Sequence, residues 1–181
     1  MMNKKITLSS LLNEGLCIQN IWGNKKTPID SSYKLKGLKK IKCRYSYDIC
    51  YLPKNINSYQ LLAIYINELY GDGFYYISYN EEESETYYLL IINNGNVSSE
   101  TDCLVNKEML EHFIVHKDYS EYKKLEIKEL DNYQLAHILD EYMKVKEYTL
   151  RRNKRLFFSL LILFLITAFG VIFLIDSIVN I

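Results

Sequence analysis

The residues of this chain that could do chemistry are few and dispersed. His112 and His116 lie four apart, and on a helix they would face one side as two metal ligands. The residues between them, Phe113-Ile114-Val115, lack the glutamate of a His-Glu-x-x-His motif, and no third ligand lies near. They read first as exposed positions of an ordinary amphipathic helix. Cys17, Cys43, Cys50 and Cys103 form no Cys-x-x-Cys pair and have no histidine close in sequence, so they read as small core side chains. Gly71-Asp72-Gly73 is too short to cradle a phosphate and is turn chemistry. The run Glu81-Glu82-Glu83-Ser84-Glu85 offers carboxylates in a solvated turn, where nothing shifts their acidity for proton transfer. Asp102 stands as a lone polar group at a strand end, with nothing converging on it in sequence. No phosphate loop, dinucleotide fingerprint or nucleophile elbow occurs. The expectation is therefore a protein that is not an enzyme, with no catalytic, metal or cofactor residues.

Seventeen tyrosines could stack nucleic-acid bases. Many alternate along apparent strands, at Tyr45, Tyr47 and Tyr51 and at Tyr75, Tyr76 and Tyr79, where strand propensity explains them without a ligand. The 181 residues carry 22 basic and 22 acidic side chains, which does not suit a nucleic-acid-binding chain, and 49% hydrophobic residues are too many for a disordered one. The zero net charge averages unlike segments. Residues 1–50 hold 10 basic against 3 acidic side chains, and residues 51–130 hold 6 against 14. Residues 131–155 are again basic, 6 against 4, and the last 26 residues contain only Asp176.

The elements that must position these residues follow from periodicity. Ile6-Thr-Leu8 could open a strand, or Ser9/Ser10 could cap a short helix through Leu12, and Leu16–Trp22 alternates as a strand. Leu38–Leu52 alternates with period two throughout and reads as one long strand. Its apolar face carries Ile41, Cys43, Tyr45, Tyr47, Ile49 and Tyr51, and its largely basic face Lys40, Lys42 and Arg44. Those three cations are the candidate partner face. Ser58 caps a helix with Leu61, Leu62, Tyr65, Ile66 and Leu69 on one stripe. Phe74–Tyr79 and Tyr87–Ile92 are strands, Asn94-Gly95 is a strong hairpin signal, and a return strand runs from Val97 to about Leu104. Asn106 caps a helix that turns Met109, Leu110, Phe113 and Ile114 inward. A short strand near Leu125–Ile127 precedes a last helix from Asn132, marked by Leu135, Ile138, Leu139, Tyr142, Met143 and Val145. The whole is a mixed α/β domain, a sheet flanked by helices.

From Leu156 to Ile175 the chain reads LFFSLLILFLITAFGVIFLI, twenty residues without a charge. At 1.5 Å per residue such a helix is about 30 Å long, the thickness of a bilayer's hydrocarbon core. Arg151, Arg152, Lys154 and Arg155 stand immediately before it. Positive charge stays on the cytoplasmic side, which predicts a single-pass protein with its N-terminus in the cytoplasm. The expected organisation is a cytoplasmic α/β domain over 1–150, a basic juxtamembrane collar over 151–155, a transmembrane helix over 156–175 and a short extracytoplasmic tail over 176–181.

The segment Tyr87-Tyr-Leu-Leu-Ile-Ile-Asn-Asn-Gly-Asn-Val-Ser-Ser-Glu-Thr-Asp102, followed by the helix Asn106–Val115, resembles the cytoplasmic domains of type IVb pilus inner-membrane assembly proteins of the bundle-forming pilus kind. It resembles more distantly the bitopic scaffold of type II secretion. The resemblance implies a reduced actin-related or RNase H-like fold. It also implies a non-catalytic scaffold whose partners are the cytoplasmic pilus-assembly ATPase and the polytopic platform protein. Family members continue into a periplasmic domain, whereas this chain ends six residues after Ile175. A membrane-anchored regulator or immunity-type protein, and an enzyme whose site is scattered in sequence, stay open beside it. A homo-oligomer is compatible with all three.

Overall fold

The computed structural model describes residues 5–24, 37–42, 48–80, 85–98 and 101–179. The chain divides into two compact units, Met1–Tyr142 and Met143–Ile181. The first is the mixed α/β domain.

In chain order it holds α1 (Leu8–Asn13), β1 (Ile21–Asn24), β2 (Leu38–Lys42), β3 (Asp48–Pro53), α2 (Leu62–Tyr70), β4 (Gly73–Ser78) and β5 (Thr86–Asn93). There follow β6 (Asn96–Val97), β7 (Cys103–Asn106), α3 (Lys107–His116), β8 (Ile127–Glu129) and the start of α4 (Asn132–Val179). The ambiguous N-terminal segment is helical, and its cap is Thr7, in a reciprocal pair with Ser10, rather than Ser9 or Ser10 itself. The period-two run of residues 38–52 is not one strand. It folds back on itself, with Leu38 opposite Pro53 and Ile41 opposite Cys50. β3 is the centre of a three-stranded antiparallel sheet in the order β1-β3-β2. Folding back also changes which face is inward. Cys50, which the unbroken alternation sets on the side of Lys40 and Lys42, is fully buried with Leu52, as its reading as a small core side chain requires, and Trp22 lies opposite Cys50 on the same inner row.

The second sheet explains the apolar run of β5. Leu89 and Ile91 pack with Phe74, Val105 and Leu110 of α3 on one face. Tyr88, Leu90 and Ile92 pack with Tyr75, Ile66 and Ile138 on the other. A strand covered on both sides reads as continuous hydrophobicity rather than alternation. β5 pairs antiparallel with β4 on one edge and with β6 and β7 on the other, and β8 joins β4 in parallel. The order is thus β6/β7-β5-β4-β8. The Asn94-Gly95 hairpin forms as expected, both residues at positive φ, and the Asp72 carboxylate accepts from both of their backbone N–H groups at 2.9 and 2.7 Å. Gly73 must lack a side chain because a Cβ would lie 2.7 Å from the Tyr75 ring. That ring places its hydroxyl on the carbonyls of Tyr70 and Gly71, closing the end of α2.

The expected return strand is interrupted. β6 ends at Val97 and β7 begins only at Cys103, because Thr101 and Asp102 turn into the core between them. The Thr101 hydroxyl accepts the Ile91 N–H at 3.1 Å in place of a strand carbonyl. In α3, Asn106 caps as expected by accepting the Met109 N–H. Leu110 is buried, but Met109, expected inward, is 53% exposed. Tyr142 ends this unit fully buried, its hydroxyl donating to the Glu14 carbonyl at 3.0 Å beside Gly15.

The second unit is helical. The helix runs without a break through Leu156 and Ile175 to Val179, and is the one helix among the described residues long and apolar enough to cross a membrane.

Candidate functional site

Two arrangements of charge stand out, one in each unit. The first is built on Asp102. Its backbone is left-handed at φ 66°, a conformation that aspartate tolerates better than most residues. Backbone bonds fix it on both sides, its N–H donating to Leu89 O at 2.9 Å and its carbonyl accepting the Gln19 N–H at 2.8 Å. The strand interruption thereby turns the side chain into the core, where it is wholly inaccessible. Oδ2 accepts three donors: Asn20 N at 3.1 Å, Asn20 Nδ2 at 3.0 Å and Trp22 Nε1 at 2.7 Å. Oδ1 accepts the Tyr88 hydroxyl at 2.7 Å.

Burial raises the Asp102 carboxyl to about 6, against the opposing pull of these donors. Burial likewise drives Tyr88 well above its ordinary value, and Asp102 adds to that shift. Cys17 and Cys103 are raised by burial first and by Asp102 second. A carboxylate so enclosed offers no oxygen to a substrate. What it does is tie three parts of the chain together: the segment entering β1, the middle of β5 and the start of β7. The open groove beside β8, lined by Lys5, Thr7, Asn80, Glu129 and Asp131 among others, does not include it.

Asp102 was legible only as a lone polar residue. Its partners lie 80, 82 and 14 positions away, and no local spacing connects them. The signal that was present is the pair Asn20 and Trp22 at alternate positions. Both carry N–H donors on the inward side of an otherwise apolar segment, and a buried indole N–H needs an acceptor.

The second arrangement is the collar. Arg151, Arg152, Lys154 and Arg155 are all exposed on the helix, and Leu156 begins the apolar run 52% exposed. Arg151 pairs with Glu147 one turn earlier at 2.6 Å. Ser159 and Thr167 return their hydroxyls to the carbonyls of Arg155 and Phe164, so the two polar side chains of the apolar run are satisfied within the helix.

The candidate partner face is only partly placed. Lys40 is exposed on the edge strand β2, opposite Tyr51. Lys42 ends that strand opposite Ile49, and Arg44 lies outside the described residues. His112 and His116 are exposed, as expected, with stacked rings 4.1 Å apart and His116 Nδ1 2.9 Å from the His112 carbonyl oxygen. Among the described residues no group of three or more histidine, cysteine, aspartate or glutamate side chains is placed to hold a metal. Cys50 is buried and Cys17 and Cys103 half-buried, while Cys43 lies outside the described residues. Most of the acidic run, Glu81 to Ser84, lies outside them too.

No family model matches the chain, and no match is found among curated proteins or solved structures.

Proposed function

We propose that this chain is a non-catalytic bitopic scaffold of an inner-membrane assembly machine of the type IVb pilus class. In this reading residues 156–175 cross the membrane and the α/β domain lies in the cytoplasm. That domain docks the assembly ATPase and the polytopic platform protein. The observation that carries the membrane part is the uninterrupted, charge-free helical run from Leu156 to Ile175, preceded by four cations within five residues. The pilus part rests on the resemblance of residues 87–115.

Topology supports the reduced RNase H-like reading that goes with it. Three antiparallel segments, β4, β5 and the divided β6/β7, are followed by helix α3 and then by β8, parallel to β4 on its far edge. An internal, satisfied Asp102 suits a scaffold, whose demand on its fold is a fixed surface rather than a reactive group.

The test is crosslinking and capture of the full chain from its own membranes, with protease accessibility of the α/β domain in intact and opened cells. Recovery of an assembly ATPase with a cytoplasm-facing domain is the expected result. Reproducible capture of other proteins without the ATPase would overturn the pilus assignment. Extraction of the chain by alkaline carbonate would overturn the membrane anchor. Charge reversal at Lys40, Lys42 and Arg44 should weaken ATPase recovery in a salt-dependent way; unchanged recovery removes that face as the docking surface.

A further inference from the structure

Arg151, Arg152 and Arg155 are not spread evenly around the helix. With Lys144 and Tyr148 they line one groove, flanked by Glu147. At 100° per residue these five positions fall within about 100° of arc, and Lys154, at the same depth in the collar, lies about 110° from the arc's centre. Three guanidinium groups therefore gather on one face in the last turn and a half before Leu156. Each presents a fork of N–H donors that matches the oxygens of a phosphate. Tyr148 stands one turn further from the apolar run, 68% exposed, an amphipathic ring of the kind enriched at membrane interfaces. The Glu147–Arg151 pair does not consume the site. Both partners are about two-thirds exposed, and such a pair contributes little in water.

We infer that this face, Arg151, Arg152 and Arg155, is a headgroup site for anionic phospholipid at the inner edge of the bilayer. It differs from a diffuse collar in which every cation counts alike. The occupant is assigned by charge complementarity and position: a phosphodiester anion held at the depth where the apolar helix begins. The inference rests on the reading of residues 156–175 as a membrane span.

The experiment uses the full chain in nanodiscs of phosphatidylcholine containing a minor fraction of phosphatidylglycerol. The lipids retained on the protein are read by native mass spectrometry. A cation near an anionic surface is worth about 1 kcal/mol, so each arginine removed from the face should lower phosphatidylglycerol retention about fivefold. Arg151→Gln with Arg155→Gln should then lower it on the order of twenty-fivefold. Lys154→Gln should change it less than about twofold, although it removes the same charge at the same depth. Glu147→Gln should raise it. Equal losses from Lys154→Gln and Arg155→Gln would overturn the face and leave a diffuse collar. Insertion without any preference for phosphatidylglycerol would overturn the site altogether. Failure of the chain to stay in the nanodisc would instead overturn the membrane span itself, a result distinct from both.

Discussion

Asp102 and the arginine collar hold charge under opposite conditions, and the contrast separates what each unit does. Asp102 is wholly buried, and all four of its donors come from the same folded chain. Its desolvation outweighs those donors, so its carboxyl is raised to about 6. The collar residues are exposed, remain hydrated, and owe nothing to the fold beyond a helical backbone. The first arrangement spends its hydrogen-bonding capacity internally and stabilises architecture. The second, apart from the exposed Arg151–Glu147 pair, presents its donors to solvent, within reach of an external anion. Mutations should therefore separate cleanly into those that unfold the α/β unit and those that alter binding alone.

The sharpest break is Asp102→Ala. It strands the N–H groups of Asn20 and Trp22 and the Tyr88 hydroxyl in a dry core, and places alanine at φ 66°. The expected loss is about 3 to 5 kcal/mol of stability. Trp22 is the chain's single tryptophan and touches the altered site, so its fluorescence during denaturant unfolding reads the change directly. Asp102→Asn should behave differently. Its amide oxygen can take the place of Oδ2, its NH2 can donate to a reversed Tyr88 hydroxyl, and asparagine tolerates the left-handed backbone. Stability within about 1 kcal/mol of the parent at neutral pH is expected. A loss equal to that of alanine would mean that the negative charge itself is required.

Next in size is the pH dependence. Above pH 6 the carboxyl is ionised in both folded and unfolded chains and contributes no slope. Between 6 and the ordinary value of 3.8 the folded chain holds a proton that the unfolded chain has released. Stability from this group therefore rises as pH falls through that window, and the gain is complete below 3.8. A shift of this size corresponds to about 3 kcal/mol once the gain is complete, of which about 2.5 kcal/mol is reached between pH 7 and pH 4. Unfolding free energies of the parent minus those of Asp102→Asn, measured across the window, should show this rise. A flat difference would place the group at its ordinary acidity. Tyr88→Phe tests the same node with a smaller effect. It should cost about 1.5 to 3 kcal/mol at pH 7, where a charged acceptor loses its donor, and about half that at pH 4.

Legibility in the sequence followed the range of the interaction. The Asn94-Gly95 hairpin, the Asn106 cap and the charge-free run from Leu156 are local, and each was readable from a few adjacent residues. The hairpin of β2 and β3 was not, because polar and apolar residues keep alternating from Leu38 to Leu52 and nothing in the period marks the reversal. One consequence falls on Cys50: the alternation alone sets it beside Lys40 and Lys42, against its reading as a core side chain, and pairing with Ile41 and Trp22 buries it. The return strand failed for a different reason. Asp102 breaks β6 from β7 to meet Asn20 and Trp22, an arrangement specified only once the β1 segment has folded against β5. The parallel partnership of β4 and β8 was equally invisible, since it joins residues some fifty positions apart.

The smallest expected effect closes the comparison from the other side. Arg151→Ala removes the ion pair to Glu147, but that pair is exposed and spans one helical turn. Such pairs are worth about 0.3 to 0.5 kcal/mol, and alanine's higher helix propensity offsets part of the loss. Unfolding of the α/β unit, followed again through Trp22, should therefore be unchanged within about 0.5 kcal/mol. The same substitution should nevertheless lower retention of anionic lipid. A stability loss of the Asp102→Ala size would mean that the collar is part of the architecture, and the division between an internal carboxylate and an outward-facing cation cluster would not hold. Silence in unfolding combined with a response in lipid binding is what two independently acting charge sites require.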